Sequence, residues 1–180
     1  MRKVCGVIAT AWGHMAAVWS DKGLWELTFP CRSAAAALAA LRHGGDVAEG
    51  NAPGAAILGK ELALYFAGER VAFSAPVDWD GYTPFQAAVL RYTAGIPYGA
   101  VASYGEVAAA VGSPRAARAV GGALHVNRTP LVVPCHRVIG ANGALVGFGG
   151  GLPKKRALLD LEAGRGHDFS CQKFVRQDII

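Results

Sequence analysis

SYGEVAAAVGSPRAARAVGGAL, residues 103–124, decides how the C-terminal half of this chain is read. Ser103 is followed three residues later by Glu106, a capping box that opens a helix, and the apolar run carries that helix to Val111. Gly112 ends it, Ser113 and Pro114 restart a helix, and RAARAVGGAL continues it to about Leu124. Two short helices joined by a tight glycine-containing turn are the sequence form of a helix-turn-helix. Between Ser103 and Arg137 the only acid is Glu106, whereas Arg115, Arg118, Arg128 and Arg137 are basic. A helix that reads bases through the major groove carries Asn, Gln, Lys or Arg at several positions, and this one has little beyond arginine. Its small residues allow close approach to a narrow groove. They suit tight packing against neighbouring elements equally well.

Outward from this pair, TPFQAAVLRYTAGI reads as a helix with Thr83 at the N-cap and Pro84 in the first position, broken by IPYG at 96–99. Residues 3–10, 14–20 and 23–29 read as three short strands separated by turn-formers. A helix over 33–43, a Gly/Asn/Pro loop over 44–54 and a helix over 55–67 follow. Segment 71–82, with Pro76 and Gly81, reads as a linker. Downstream, Asn142-Gly143 is a strong two-residue hairpin signal, and LPKKRALLDLE (152–162) is an amphipathic helix with Pro153 near its start. The expected organisation is an α/β support domain over 1–80, a second domain over 81–165 and a polar tail over 166–180.

The 180 residues are 52% hydrophobic and 17% charged, a composition that builds a packed core. No run approaches the roughly 18 apolar residues of a membrane span. The N-terminus alternates like a strand and is read as mature protein, not as a signal peptide. Four widely spaced cysteines, Cys5, Cys31, Cys135 and Cys171, form neither a metal clip nor a disulfide scaffold, which fits reduced thiols in a cytoplasmic protein. Residues 1–79 hold seven basic and seven acidic side chains, so the whole net charge of +5 comes from residues 80–180, with eleven against six. Such a step points to a polyanion at the C-terminal half.

VVPCHRVIG (132–140) sets a thiol beside an imidazole directly after a proline. Pro134 bars a regular central strand and keeps Val133 extended. Neighbours on an extended chain point to opposite faces, so Cys135 and His136 can cooperate only across a bend or through a bridging water. An imidazole supported by a carboxylate lowers a thiol's effective pKa, and Glu162 is one of few downstream acids able to orient His136. Burial of an unrelated pair is the competing reading of these two residues alone.

SYGE, RAVGGA and PCHRV, in this order and near these spacings, closely resemble the O6-alkylguanine-DNA alkyltransferases over residues 83–163, and more weakly over 1–80. The resemblance implies an α+β protein: a small N-terminal domain with a short antiparallel sheet and helices, and a mainly helical C-terminal domain with the helix-turn-helix and the active-site loop. It implies direct-reversal DNA repair, in which an alkyl group on O6 of guanine (and O4 of thymine) in duplex DNA passes irreversibly to the protein's own cysteine after nucleotide flipping. Cys135 is then the acceptor, His136 its base through a water, and Glu162 the residue that orients the imidazole. Tyr104 gives a proton to the guanine ring, and Asn127 links the turn-helix pair to the active-site loop. Arg118 takes the place of the extruded nucleotide, with Ser113, Arg115, Ala116, Ala117 and Gly121 along the DNA and Arg137 as a structural member. Pro134, Val138, Phe148 and Gly149 would form the substrate pocket. The resemblance further implies a monomer in the DNA minor groove, without cofactor or metal.

Some positions depart from the family pattern. The loop run is FGGG, so a side-chain contact to the guanine oxygen is lost, although the Gly149 N–H remains. His125 stands where a basic residue is common. Cys5, His14, Cys31 and His43 lack the spacing of the zinc site that some relatives carry. A non-catalytic binder of alkylated DNA would lack Cys135. A Cys-His hydrolase gives no reason for the basic helix pair, and a transcriptional regulator would need base-reading side chains on the second helix.

Overall fold

The computed structural model describes residues 3–42, 47–50, 52 and 54–165. The chain divides into two units, one up to Asp78 and one from Trp79 to Arg165.

The first unit is built on strands β1 (Lys3–Thr10), β2 (Gly13–Ser20) and β3 (Gly23–Leu27), which form an antiparallel meander. The β1–β2 turn needs Gly13 at φ 122°, where a Cβ would sit 2.4 Å from the Cys31 carbonyl oxygen. Helix α1 (Ala34–Ala39) is capped by the Ser33 hydroxyl and packs on β2, with Ala37 joining Cys5, Ala16 and Val18 in one apolar cluster. The chain leaves this helix earlier than the expected 33–43, because the Arg42 N–H is taken at 2.7 Å by the buried Glu26 carboxylate of β3. The expected loop over 44–54 contains β4 (Val47–Glu49), which pairs parallel with β1, so the sheet is mixed, in the order β3-β2-β1-β4. Three residues are too few to show a period. Helix α2 (Ala55–Phe66) buries Leu58, Leu62, Tyr65 and Phe66 and lies along β1. Segment 71–78 is no free linker: Leu24 N–H donates to the Pro76 carbonyl at 2.7 Å and Asp78 N–H to the Leu24 carbonyl at 2.9 Å. Asp78 is buried and accepts from the Ser20 hydroxyl.

The second unit opens with α3 (Pro84–Ala94), where Thr83 and Gln86 cap one another reciprocally and Pro84 occupies the first turn. After the 96–99 break, β5 (Ala102–Ser103) leads directly into α4 (Tyr104–Ala110), again through a capping box, Ser103 with Glu106. Helix α5 (Ala117–His125) starts later than Ser113-Pro114 would place it: residues 113–116 form a turn, with Ala116 N–H on the Ser113 carbonyl at 2.8 Å. Helices α3, α4 and α5 pack on one another. Strand β6 (Val138–Ile139) pairs parallel with β5, and α6 (Leu152–Glu162) closes the unit. The expected hairpin at Asn142-Gly143 is a closed turn instead. Gly140 N–H donates to Ala144 at 2.8 Å, but β6 has given its pairing to β5 and no strand follows among the described residues. Because β5 runs into α4 and β6 leaves the Cys135 turn, their parallel pairing sets Tyr104 beside that turn.

No described helix is long and apolar enough to cross a membrane. Among the described residues no three His, Cys, Asp or Glu side chains gather as a metal site. His43, Cys171 and the tail over 166–180 lie outside the described residues.

The Ser103 cap is expected to stabilise the start of α4 by about 1 kcal/mol. Urea unfolding of Ser103→Ala should show the midpoint lowered with the slope unchanged.

Candidate active site

Residues 126–134 join α5 to the cysteine without helix or strand. Within them Leu131 sits at φ 71°, the one non-glycine residue with positive φ among the described residues, and its side chain is buried. Pro134 then delivers Cys135, His136 and Arg137 in a single 3₁₀ turn, with Arg137 N–H on the Pro134 carbonyl at 2.9 Å. A 3₁₀ turn sends successive side chains about a third of a revolution apart. That is the bend the Cys-His pair requires. Cys135 faces a cavity, and His136 and Arg137 turn inward.

Both inward side chains meet Glu162, seven residues beyond Lys155 on α6. His136 Nε2 lies 2.7 Å from Glu162 Oε1. Arg137 forks onto the carboxylate, Nε to Oε2 at 3.0 Å and Nη2 to Oε1 at 3.0 Å, while its Nη1 donates to the Ile96 carbonyl at 2.5 Å. Gly99 N–H adds a donor to Oε2 at 3.1 Å. Burial holds the His136 imidazole below its ordinary value of 6.5, with Glu162 opposing, so the ring is neutral near pH 7. With Nε2–H donated to the carboxylate, Nδ1 carries the lone pair.

Burial also pushes the Cys135 thiol up; the Asn127 amide, the Lys155 charge and nearby backbone N–H groups act against it. Asn127 spans the ends of the connecting segment: its Nδ2 donates to the Val133 carbonyl at 2.9 Å and its Oδ1 accepts from Thr129 N–H at 3.0 Å. Tyr104, at the first position of α4, donates its hydroxyl to the Val146 carbonyl at 2.7 Å. Its pKa is raised by burial and by the charge of Cys135.

Lys155 is the residue sequence reasoning missed. It is fully buried and its ammonium donates to the carbonyls of Val138 (2.6 Å), Val146 (3.2 Å) and Gly147 (3.4 Å), 3.5 Å from the Tyr104 hydroxyl. Burial lowers its pKa and Cys135 opposes. A signal was present: Lys155, Leu158 and Glu162 recur at i, i+3 and i+7, which puts lysine and glutamate on one buried face.

The cavity above the thiol measures about 440 Å³. Its walls include Tyr104, Ala117, Arg118, Gly121, Phe148 and Gly149, and His125 reaches it from the end of α5. Pro134 and Val138, expected in the wall, are buried and do not line it; the proline turn directs them into the packing beneath. Ser113, Arg115 and Ala116 belong to the turn before α5 and lie outside the cavity. Arg115 and Arg118 are exposed. The basic side of the helix pair is thinner than the sequence implies, because Arg128 and Arg137 are both buried among internal partners.

A buried thiol opening on a cavity beside a helix pair, backed by a His–Glu–Arg cluster, defines a class of proteins organised around one cysteine. Residues 84–164 match the family described as 6-O-methylguanine DNA methyltransferase, DNA binding domain. The methylated-DNA–protein-cysteine methyltransferase of Mycobacterium tuberculosis is 52% identical over 105 residues, covering 58% of this chain and 63% of that protein. The constitutive enzyme of that name from Bacillus subtilis is 52% identical over 100 residues, covering 56% and 60%. The chain therefore aligns along a little under two thirds of these relatives' length. The crystal structure of Mycobacterium tuberculosis OGT in complex with DNA is 36% identical, with a TM-score of 0.77, covering 94% of this chain and 97% of that one. The chain belongs to the 6-O-methylguanine-DNA methyltransferase family.

Replacing Glu162 by Gln leaves Arg137 charged and buried without its counter-ion, a loss of about 3 kcal/mol or more. Chemical denaturation of Glu162→Gln against the unchanged protein measures it.

Proposed function

We propose that the protein repairs O6-alkylguanine, and O4-alkylthymine, in duplex DNA by moving the alkyl group to Cys135, once per molecule. The observation that carries this reading is Cys135 lining a cavity beside α5 while its neighbour His136 is locked on a buried carboxylate. The relatives' name, methylated-DNA–protein-cysteine methyltransferase, and the DNA in the Mycobacterium tuberculosis structure support it.

In this reading α4 and α5 act as a helix-turn-helix in the minor groove, with Arg115, Ser113 and Ala116 along the backbone. The small residues Ala117 and Gly121 admit close approach. A stacked base shields its alkyl carbon from in-line attack, so the nucleotide leaves the helix, and the exposed Arg118 fills the gap. The cost of a few kcal/mol is smaller for a damaged, badly paired base.

Chemistry then follows from the cluster. His136 Nδ1 takes the Cys135 proton through a water, and Glu162 stabilises the resulting imidazolium. The Asn127 amide and the Lys155 charge hold the thiolate against its apolar surroundings. Sulfur attacks the alkyl carbon, the carbon–oxygen bond breaks, and its electron pair passes to the guanine ring. Tyr104 protonates the ring as it leaves, with the Lys155 ammonium beside the phenol oxygen. The thioether offers no easy leaving group, so the protein is consumed, and no cofactor enters the scheme.

Intact mass after incubation with a duplex carrying one O6-methylguanine should show a single methyl adduct on Cys135, absent in Cys135→Ser. Unmodified protein together with unrepaired DNA refutes the reading. Because burial holds His136 below 6.5, the base stays neutral through that pH. The transfer rate should therefore be level from about pH 8 to 6.5 and decline only below it, as read from single-turnover quench kinetics.

A further inference from the structure

We propose that Tyr82 and Arg128 form a clamp that positions Cys135, governing the transfer step and not DNA affinity. The inference rests on the alkyl-transfer reading above. It concerns an arginine whose place in a basic stretch points to phosphate, but whose side chain turns into the protein.

Arg128 is 8% exposed. Its backbone N–H donates to the Tyr82 hydroxyl at 2.9 Å, and its guanidinium lies over the Tyr82 ring, 4.1 Å from the centroid. Nη2 donates to the Asp80 carbonyl at 2.7 Å. Tyr82 is backed in turn by Trp79, at 6.4 Å between rings, and Arg91 of α3 sits over Trp79 at 5.2 Å. The segment entering α3 is thus fastened to the start of the segment that ends in Cys135.

That segment needs fastening. Leu131 is held in the left-handed region by a turn closed between the Thr129 carbonyl and Val133 N–H at 2.8 Å. A leucine keeps such a backbone only where its surroundings over-determine it. Asn127 grips the turn through Thr129 and Val133; the Tyr82–Arg128 contact anchors Arg128, which lies between Asn127 and Thr129. Released at Arg128, the turn can relax toward ordinary backbone angles and carry Pro134 and Cys135 with it. In-line displacement tolerates little misplacement of the attacking atom. Burial raises the Tyr82 pKa, Arg128 opposes the rise, and the Cys135 charge adds a smaller contribution.

The test uses the full chain and a duplex with one O6-methylguanine. Single-turnover rates are measured against protein concentration for the unchanged protein, Arg128→Ala, Arg128→Lys and Tyr82→Phe, with thermal midpoints alongside. The clamp predicts saturating rates about tenfold lower or more in both arginine variants, because lysine lacks the planar group that stacks on the Tyr82 ring. Half-saturation should stay within about twofold and the salt dependence should not change. Tyr82→Phe keeps the ring and loses only the acceptor, so it should be slowed less; it carries the test if Arg128→Ala unfolds below assay temperature. Normal saturating rates in folded variants overturn the clamp, as does weaker binding with a shallower salt slope, which would make Arg128 a phosphate contact. Iodoacetamide labelling of Cys135, mapped by mass, separates the two readings. Rates that differ between the unchanged protein and Arg128→Ala, with no methyl transfer in either, refute the repair function alone. Equal labelling rates refute the clamp.

Discussion

The Glu162 carboxylate is the point on which the second unit is organised. One buried group receives the Arg137 fork, the His136 imidazole and the Gly99 amide, and through them ties the end of α6 to the cysteine turn and to the 96–99 break. Isolated charges are costly to bury, and an ion pair recovers that cost only with good geometry and further hydrogen bonds. Here every oxygen of the carboxylate is engaged and the remaining arginine donor finds the Ile96 carbonyl. The arrangement defines one orientation for the imidazole, and with it which ring nitrogen faces away from the carboxylate.

The thiol stands at the boundary between this polar cluster and the apolar cavity. Burial favours the neutral thiol, while Asn127 and Lys155 favour the thiolate. Lys155 has two tasks in one side chain. It brings a positive charge near the sulfur, and it gathers the carbonyls of Val138, Val146 and Gly147, which set the wall that carries Phe148 and Gly149. Tyr104 reaches two of these carbonyls, Val146 and Gly147, from α4. The cavity wall and the Tyr104 hydroxyl therefore share the Val146 and Gly147 carbonyls.

Much of the scaffold was legible along the chain because it is local. The Thr83 N-cap with Pro84, the capping box at Ser103 and the apolar periodicity of α2 and α6 depend on residues a few positions apart. The shorter α1, the late start of α5 and the parallel β1–β4 and β5–β6 pairs were not legible. The late start of α5 comes from the local turn at residues 113–116, while the others depend on a distant partner, such as Glu26 holding Arg42 N–H, or on strands of two or three residues that show no period.

At the site, the juxtaposition of Cys135 and His136 and the candidacy of Glu162 came from residue type and order alone, and the family resemblance named their roles. The chain by itself also determined that Pro134 would bend the backbone there, since a missing N–H and a fixed φ are properties of the residue. Only the tertiary structure decided which charges face inward. Arg128 and Arg137 are as basic in sequence as Arg115 and Arg118, yet two are buried and two are exposed. Burial of a charge depends on whether a carboxylate, an aromatic face or a carbonyl lies within reach, and here those partners come from residues 25 to 48 positions away in the chain.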